Sequence, residues 1–236
     1  MPIILAIETS SELASCALIR DGAVLARESS GVRTHSQSIL PMVQELLAEA
    51  GLTLAECDAL AFGAGPGSFT GVRTACGIAQ GLAFGAKLPV VPLITLAAMA
   101  LACHQQTGAT DIVTVLDARM GEVYWAQYRY ANGWQTVSEP ALCAPGAVEP
   151  LTAAGPLAAC GNGFAAYPDA FAGRAWAAEA HAAIMPHARE LAQLAGAALA
   201  AGLSVGAADA QPLYLRNKIA FTSAERLVIN AAKAAA

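Results

Sequence analysis

Residues 62–86 read FGAGPGSFTGVRTACGIAQGLAFGA, and this stretch decides how the rest of the chain can be arranged. It begins with the end of an apolar strand, passes through a loop with three glycines around Pro66, and continues from Gly71 as a nearly uncharged helix. Such a loop turns tightly and presents bare N–H groups, and the positive end of the helix dipole faces the same point. The stretch therefore predicts an anion cradle between a strand and a helix.

The helix in this stretch carries a stripe of glycines. Gly77, Gly81 and Gly85 follow one another at four-residue spacing, so they share one helix face. Each glycine costs roughly 1 kcal/mol relative to alanine in a helix, so the smooth face should have a use. One interpretation is close packing against the chain's own sheet, and the other is a surface that a helix of another chain approaches at short range. The spacing alone leaves both interpretations open.

The known nucleotide and catalytic fingerprints do not match the loop. Ser68 or Thr70 stands where a Gly-x-Gly-x-x-Gly motif needs its third glycine, and no Gly-Lys-Ser/Thr follows. A nucleophile elbow needs a glycine two residues before and after its serine, where Ser68 has Pro66 and Thr70. The sequence therefore contains no Rossmann fingerprint, P-loop or nucleophile elbow at this place.

Composition narrows the class of protein. The 236 residues are 56% hydrophobic and only 13% charged, with a formal charge of -5 and a pI of about 5.3. So low a fraction of charged residues suggests that a partner covers part of the surface. The negative net charge argues against a chain that binds nucleic acid through its own positive potential. The six cysteines form no Cys-x-x-Cys pair, and the start of the chain lacks the features of a signal peptide. The longest apolar run, residues 88–103, is broken by two prolines and is too short for a membrane helix, so we expect a cytoplasmic protein without membrane contact.

The first half of the chain predicts a strand, a polar turn and a hairpin. Ile3 to Ile7 form a continuous apolar run typical of a buried strand, and this run ends in the polar residues 8–11. Asp21-Gly22 is a strong hairpin signal, and apolar residues at helical spacing predict a helix over 36–50. Further strands are predicted over 58–63 and 90–93, and a further helix over 95–104.

The second half repeats this order without evident sequence identity. An apolar strand over 111–116 ends in the polar turn 117–121, and Asn132-Gly133 marks the next hairpin. We therefore predict a duplicated α/β fold of mixed sheets flanked by helices. Its two domains span residues 1–103 and 104–236, and the C-terminal tail is expected to pack back on the first domain.

Several motifs along the chain resemble the TsaB (YeaZ) family. The Gly-Pro-Gly-Ser-Phe-Thr-Gly-Val-Arg block is rather specific, and the resemblance covers nearly the whole chain. It implies the duplicated fold of the actin, hexokinase and heat-shock ATPase superfamily. It also implies a place in the bacterial machinery that makes N6-threonylcarbamoyladenosine beside the anticodon of tRNA. The matching segments are Glu8-Thr9-Ser10, Thr34-His35-Ser36, the block from Gly65 to Arg73, the stretch from Asp117 to Tyr124, and Pro212, Tyr214, Leu215 and Arg216.

The resemblance further implies a noncatalytic subunit that pairs with a catalytic TsaD-like paralogue. It implies a TsaE-like ATPase that is reached through the complex, tRNA that is bound only through the complex, and a homodimer when the partner is absent. The predicted partner surface lies on the first two helices and the turns before them. Its residues are Thr34, His35, Ser36, Leu40, Val43, Leu47, Gly71, Val72, Arg73, Gly77, Gly81 and Gly85.

The sequence shows no metal site. TsaD-like proteins carry a His-x-x-x-His pair on the helix after the fifth strand, a spacing that places two imidazoles on one helix face. Thr95 and Met99 stand at the corresponding positions here, and no two of the four histidines are four residues apart. We therefore assign neither a metal ligand nor a catalytic residue.

Nucleotide binding remains an alternative. The superfamily grips phosphates with one polar turn per domain, and Gly161 and Gly163 are either the remnant of an adenosine turn or a plain connecting turn. The rival hypotheses to a scaffold are therefore a residual ATP-binding protein or ATPase and, ranked last, a peptidase. No cofactor is assigned, and weak nucleotide binding stays open. The candidate vestigial turns contain Glu8, Thr9, Ser10, Asp117, Gly121, Gly161 and Gly163.

The end of the chain differs in charge from the rest. Residues 213–236 contain four basic residues and one acidic residue, a local charge of +3. A few dispersed charges give only weak, salt-sensitive contact with RNA. We therefore expect poor tRNA binding by this chain alone.

Overall fold

The computed structural model describes residues 1–29 and 35–216 and contains two mixed β-sheets flanked by helices. This architecture confirms the predicted α/β class. The strands and helices in chain order are β1 Ile4–Glu8, β2 Ala14–Arg20, β3 Ala23–Ser29, α1 His35–Ala50, β4 Ala59–Gly65, α2 Phe69–Ala86, β5 Val90–Ile94, α3 Thr95–Thr107, β6 Asp111–Asp117, β7 Val123–Tyr130, β8 Trp134–Cys143, β9 Leu157–Cys160, α4 Gly163–Ala166, α5 Pro168–Phe171 and α6 Ala188–Ala200.

The first sheet has the strand order β3-β2-β1-β4-β5. Its central strand β1 is antiparallel to β2 and parallel to β4, so every residue of β1 is buried. The continuous apolar run at the start of the chain is typical of such a strand. Helices α1 and α2 cover one face of this sheet, and α6 covers the other.

The second sheet has the order β8-β7-β6-β9 and repeats the pairing of the first. Its central strand β6 is antiparallel to β7 and parallel to β9, as β1 is to β2 and β4. Because both sheets use the same order and directions, the turns that follow β1 and β6 stand at corresponding places. Helix α3 covers one face of the second sheet, and a cluster around Phe164 and Phe171 covers the other.

Helices α3 and α6 each pack on a sheet formed mainly by the other half of the chain. The α3 residues Leu96, Met99 and Cys103 belong to the core of the second sheet, although α3 directly follows a strand of the first. The α6 residues Leu191 and Ala195 belong to the core of the first sheet. Helix α3 runs past residue 103 to Thr107, and α6, which belongs to the second half of the chain, packs on the first sheet. Each sheet face needs an apolar helix, and helical spacing does not specify which half supplies it.

Helix ends differ slightly from the predicted ones because of local capping. Helix α2 begins at Phe69, two residues before the predicted start, because Ser68 is its cap and its Oγ accepts the Gly71 N–H at 3.4 Å. Helix α6 is shorter at both ends than the predicted 186–201. No helix within the described ranges has the length and apolar character needed to cross a bilayer.

Helix α6 begins with an uncommon cap, His187. Its Nδ1 accepts the Arg189 N–H at 3.0 Å, and its Nε2 lies 3.2 Å from Glu28 Oε2 on β3. A ring nitrogen that accepts must be unprotonated, so the cap needs the neutral imidazole. Burial lowers the pKa of His187, while Glu28 acts in the opposite sense. The neutral imidazole of His187 therefore caps α6 and connects the start of this helix to the edge strand β3 of the first sheet.

We predict that His187→Ala lowers the free energy of unfolding by about 1 kcal/mol, the usual cost of losing a helix cap. His187→Asn keeps a capping acceptor and should lose less. Chemical denaturation of the three proteins tests the prediction, and equal stabilities would contradict the role of His187 as a cap.

The contribution of this cap should also depend on pH. The folded pKa is lowered, so the stabilisation is complete above the unfolded value of about 6.5 and is lost as the pH falls through the folded pKa. The advantage of the wild type over His187→Asn should therefore shrink on acidification. Glu28, Arg189 and Glu190 face position 187 and are unchanged in both proteins, so the difference isolates the imidazole.

Candidate functional site

The outer surface of α2 carries the glycine stripe. Gly77, Gly81 and Gly85 are exposed, and a Cβ built on any of them meets no atom within 4 Å. The stripe therefore does not pack against the chain's own sheet, which removes the first of the two interpretations offered by the spacing. Among residues 1–29 and 35–216, no contact at these positions offsets the helical cost of the three glycines.

One large apolar side chain lies beside the stripe, and another is exposed on the neighbouring helix. Phe84, three residues after Gly81, is 80% exposed, and Leu40 on α1 is 44% exposed. Neighbours at this spacing share a helix surface, and α1 contacts α2. The exposure of Phe84 was missed by the sequence analysis, although its position next to Gly81 was a readable signal. We call this surface the α1–α2 face, which consists of Leu40, Arg73, Gly77, Gly81, Phe84 and Gly85.

Three residues of the predicted partner surface are buried in the chain's own fold. Val43 is 2% exposed and packs in the first core, and Val72 is 1% exposed. Gly71 is buried against the turn after β1, where a Cβ would lie 2.9 Å from the Thr9 carbonyl carbon. These residues position the two helices and leave no surface for direct contact, which corrects their place in the predicted set.

The other predicted residues of α1 differ in exposure. Ser36 is exposed, and Leu47 is half-buried against the first core. His35 is half-buried, with its Nε2 3.3 Å from the Glu12 carbonyl oxygen. Thr34 lies outside the described residues.

The glycine loop before α2 holds the chain's own first turn. A Cβ on Gly63 would collide with the Glu8 carboxylate, and a Cβ on Gly67 would lie 2.6 Å from Ser10 Cβ. The Ser68 N–H donates to the Ser10 carbonyl at 2.7 Å. The predicted anion cradle is thus partly occupied by the turn after β1.

Glu8 is enclosed by this contact. Its carboxylate is fully buried and accepts the Ser10 N–H at 2.5 Å and the Thr95 hydroxyl at 3.4 Å. Burial raises the pKa of Glu8, and the bonds from Ser10 act in the opposite sense. Thr9 is also fully buried, and its hydroxyl donates to the Gly71 carbonyl at 2.7 Å. These two residues hold the β1 turn against the loop and lie behind the cleft between the sheets.

The cleft between the two sheets contains a cavity of about 350 Å³. Its walls come from the turn after β1, the start of α2, the turn after β6, and residues 213–216. It is lined by Ser10, Ser11, Glu12, Gly67, Ser68, Phe69, Val72, Leu116, Asp117, Ala118, Arg119, Met120, Tyr124, Asn162, Met185, Leu213, Tyr214, Leu215 and Arg216.

The turn after β6 is strained and is held by its neighbours. Arg119 and Met120 both have φ of 61°, a left-handed conformation that non-glycine residues adopt at a cost. The Asp117 carboxylate accepts the Arg119 N–H at 2.8 Å and the Tyr167 hydroxyl at 2.9 Å. The Arg119 guanidinium also pairs with Glu12 at 2.7 Å across the cleft. Both hydrogen bonds use Oδ1 of Asp117, and its Oδ2 lies 3.2 Å from Arg119 Nη1, so both carboxylate oxygens have partners. Gly121, also left-handed, completes the turn.

Close packing explains why glycine stands at positions 161 and 163, two of the predicted nucleotide-binding positions. A Cβ on Gly161 would lie 2.6 Å from Met99 Cε, and a Cβ on Gly163 would lie 2.6 Å from Val115 Cγ1. This close packing on α3 and β6 favours a plain connecting turn. Thr95 and Met99 are fully buried, and no three His, Cys, Asp or Glu side chains converge on a metal site within the described residues.

Residues 213–216 join the two halves across the cleft. The Leu213 N–H donates to the Ala64 carbonyl at 2.7 Å, and the Tyr214 hydroxyl accepts from Arg73 Nε at 2.7 Å. Arg216 Nη2 donates to Glu122 Oε2 at 2.6 Å. The segment runs from the first sheet to the turn after β6, a contact that no local sequence pattern indicates.

We predict opposite effects of two glycine-to-alanine changes. Gly63→Ala should destabilise the chain by about 2 kcal/mol because its Cβ overlaps Glu8, while its φ lies outside the left-handed range. Gly77→Ala, with open space around its Cβ, should stabilise α2 by about 0.8 kcal/mol. Thermal and chemical unfolding measure both. A stabilising Gly63→Ala would contradict the assigned contact.

Known proteins resemble this chain over most of its length. The profile of the TsaD family, tRNA N6-adenosine threonylcarbamoyltransferase, matches residues 23–236. The chain is 42% identical over 222 residues to tRNA threonylcarbamoyladenosine biosynthesis protein TsaB of Escherichia coli (strain K12), with 92% of this chain and 96% of that protein covered. It is 38% identical to the protein of the same name from Haemophilus influenzae, with 92% and 94% covered. The solved structure of YeaZ from Pseudomonas aeruginosa matches with a TM-score of 0.85 at 39% identity, with 91% and 100% covered. Matches of this extent and identity show that the chain belongs to the TsaB (YeaZ) family, within the wider TsaD family.

Proposed function

We propose that this chain is a noncatalytic scaffold subunit that binds a catalytic TsaD-like protein and so supports formation of N6-threonylcarbamoyladenosine on tRNA. The observation that carries the proposal is the exposed glycine stripe on α2. The names of its relatives place them in the biosynthesis of this nucleoside. In the full complex, a TsaE-like ATPase and tRNA are reached through the partner.

The α1–α2 face has the physical properties of a helix docking surface. Three glycines with open space let the backbone of a partner helix approach closely, as small-residue stripes do. Phe84 on the same helix and Leu40 on the neighbouring helix α1 supply apolar area, and large apolar side chains dominate the energetics of interfaces. Because the proposed partner is a paralogue, the same face pairs with a second copy when the partner is absent.

The contacts around Thr95 and Met99 support the absence of catalysis. These residues stand where TsaD-like proteins carry their histidine pair, and neither side chain is a metal ligand of the usual kind. Thr95 bonds Glu8, and Met99 packs against Gly161. The place is therefore filled by apolar and hydroxyl groups that stabilise the joint between the sheets.

A residual ATPase is the less favoured alternative. Glu8 is buried beneath Gly63, Asp117 is bonded by Arg119 and Tyr167, and the glycines at 161 and 163 are used for packing. A purified chain that hydrolyses or tightly binds ATP would reverse this order of preference.

We predict that Gly81→Leu keeps the fold and weakens binding of a TsaD-like partner about fivefold to 150-fold, since overpacking costs roughly 1–3 kcal/mol. The fold should survive because no atom lies within 4 Å of the added Cβ. Pull-down and analytical ultracentrifugation measure partner binding and self-association, and circular dichroism confirms folding.

Matched variants sharpen this test. Gly196→Leu places the same side chain on α6, where a Cβ also meets nothing within 4 Å, and should bind the partner normally. Gly81→Ala adds only one methyl group and should have a smaller effect than leucine. Normal partner binding by folded Gly81→Leu protein would refute the α1–α2 face as the interface.

We predict that the isolated chain does not transfer threonylcarbamoyl to tRNA, because its described residues contain no metal-binding cluster and its glycine loop is no nucleophile elbow. The measurement is nucleoside analysis of tRNA incubated with substrate and the pure chain, with the complete complex as the positive control. Turnover by the pure chain, with partner contamination excluded by mass spectrometry, would overturn the noncatalytic assignment.

A further inference from the structure

Arg73 at the start of α2 is held in one position by two aromatic residues. Its Cζ lies 3.6 Å from the centre of the Phe69 ring and 5.4 Å from that of the Tyr214 ring, and its Nε donates to the Tyr214 hydroxyl at 2.7 Å. Contact with aromatic faces together with a directed hydrogen bond fixes the position and the orientation of a guanidinium. The side chain of Arg73 is therefore ordered although it is exposed.

The outer end of this guanidinium has no partner within the described part of the chain. Nη1 and Nη2 of Arg73 make no hydrogen bond and no ion pair among residues 1–29 and 35–216. These two nitrogens form a fork that can donate to both oxygens of one carboxylate. An exposed arginine usually loses side-chain freedom when it binds, but Arg73 is already ordered. A carboxylate that reaches the fork therefore binds to a preorganised group.

The fork lies on the α1–α2 face. Arg73 precedes Gly77 by four residues, so both lie on one surface of α2. Gly77 leaves open space on this surface, and Phe84 and Leu40 supply apolar area on the same face. Arginine is one of the residues that most often dominate the free energy of an interface, above all where the partner excludes water. A partner that covers the face would exclude water from the fork.

Helices α1 and α2 of a second copy supply no free carboxylate within their described residues. Helix α2 contains no acidic residue, and the charged residues at its two ends, Arg73 and the cap residue Lys87, are both positive. The acidic residues of α1, Glu45 and Glu49, pair with Arg27 of the same chain. Two copies that meet through α2 therefore bring like charges together. This charge pattern favours a different partner that carries a carboxylate.

We propose that Arg73 is the specificity determinant of the α1–α2 face, and that its Nη groups bind an Asp or Glu carboxylate on the helices of the TsaD-like partner. Tyr214 is the positioning residue for Arg73. The apolar surface around the ion pair shields it from water, so the pair favours the TsaD-like partner over a second copy of this chain. The inference rests on the proposed function and adds the charge that the partner carries at this place.

The first test compares partner binding with self-association of the full chain. Arg73→Gln should raise the dissociation constant of the mixed complex about 30-fold in isothermal titration calorimetry, the usual loss at a dominant interface residue. Its self-association in analytical ultracentrifugation should be no weaker than that of the wild type. Arg20→Gln removes the same charge from the far end of β2 and should bind the partner as the wild type does. Unchanged partner affinity of Arg73→Gln, or equal losses in both associations, would overturn the inference.

Tyr214→Phe tests the positioning of Arg73. This change keeps the ring and removes the hydroxyl that accepts from Nε, so partner binding should weaken about threefold to tenfold. In the Arg73→Gln background the same change should have no further effect, because the arginine that Tyr214 positions is gone. Additive losses would refute the role of Tyr214 as a positioning residue.

A cross-link identifies the carboxylate of the partner. In the complex formed by Arg73→Lys, a carbodiimide activates a nearby carboxyl group, and the amine at position 73 attacks it, so that an amide bond forms and the carbodiimide leaves as a urea. We expect peptide mass spectrometry to join position 73 to an Asp or Glu of the partner. A folded and bound Arg73→Lys complex without this link would refute the ion pair. If Arg73→Gln does not fold, the cross-link decides alone.

The wild-type measurement separates this inference from the proposed function. A wild-type chain that does not bind the TsaD-like partner would refute the scaffold function and the ion pair together. A wild-type chain that binds, with an Arg73→Gln variant that binds equally well, would refute the ion pair alone.

Discussion

The backbone of the turn after β1 lies directly on the glycine loop before α2, and most of the structure depends on this contact. A side chain at Gly63, Gly67 or Gly71 would occupy the space of residues 8–10, so only glycine allows the approach. The contact encloses Glu8, sets the start of α2 at Phe69, and orients the helix about its axis. Because one side of α2 packs on the loop and sheet, the stripe of Gly77, Gly81 and Gly85 on the other side faces solvent. The exposed α1–α2 face is thus a consequence of close packing on the opposite side of the same helix.

The duplicated fold places its two turns as expected for a ligand site, at the carboxyl ends of the central strands β1 and β6. In this chain, the acidic side chains of these turns bond to backbone N–H groups of their own turns and to hydroxyl groups of neighbouring elements. Glu8 bonds Ser10 and Thr95, and Asp117 bonds Arg119 and Tyr167. Residues 213–216 line the cavity in the cleft and bond to both halves of the chain. A fold does not determine a function. In this chain the exposed apolar surface is the α1–α2 face, and the cleft contains a small cavity.

The sequence predicted the class of fold and the repeated order of elements because apolar periodicity and hairpin signals are local. It did not predict which sheet α3 and α6 cover, because an amphipathic pattern shows which face of a helix is apolar but does not specify the sheet against which that face packs. The same limit explains the corrected interface residues. Val43 and Leu40 are three residues apart on one apolar helix, and only packing shows that Val43 is buried and Leu40 exposed. The Arg216 contact with Glu122 spans 94 residues, and no local pattern indicates such a pair.

The glycines of the loop before α2 and those of the stripe on α2 show what the sequence determined and what the tertiary structure decided. The sequence by itself determined that residues 62–86 form a tight loop and a helix with a smooth stripe, because glycine spacing and helical period are properties of the chain alone. The tertiary structure decided that the loop glycines receive the chain's own backbone and that the helix glycines stay open to solvent. The physical reason is that a missing side chain only permits close approach, and what approaches depends on segments distant in sequence.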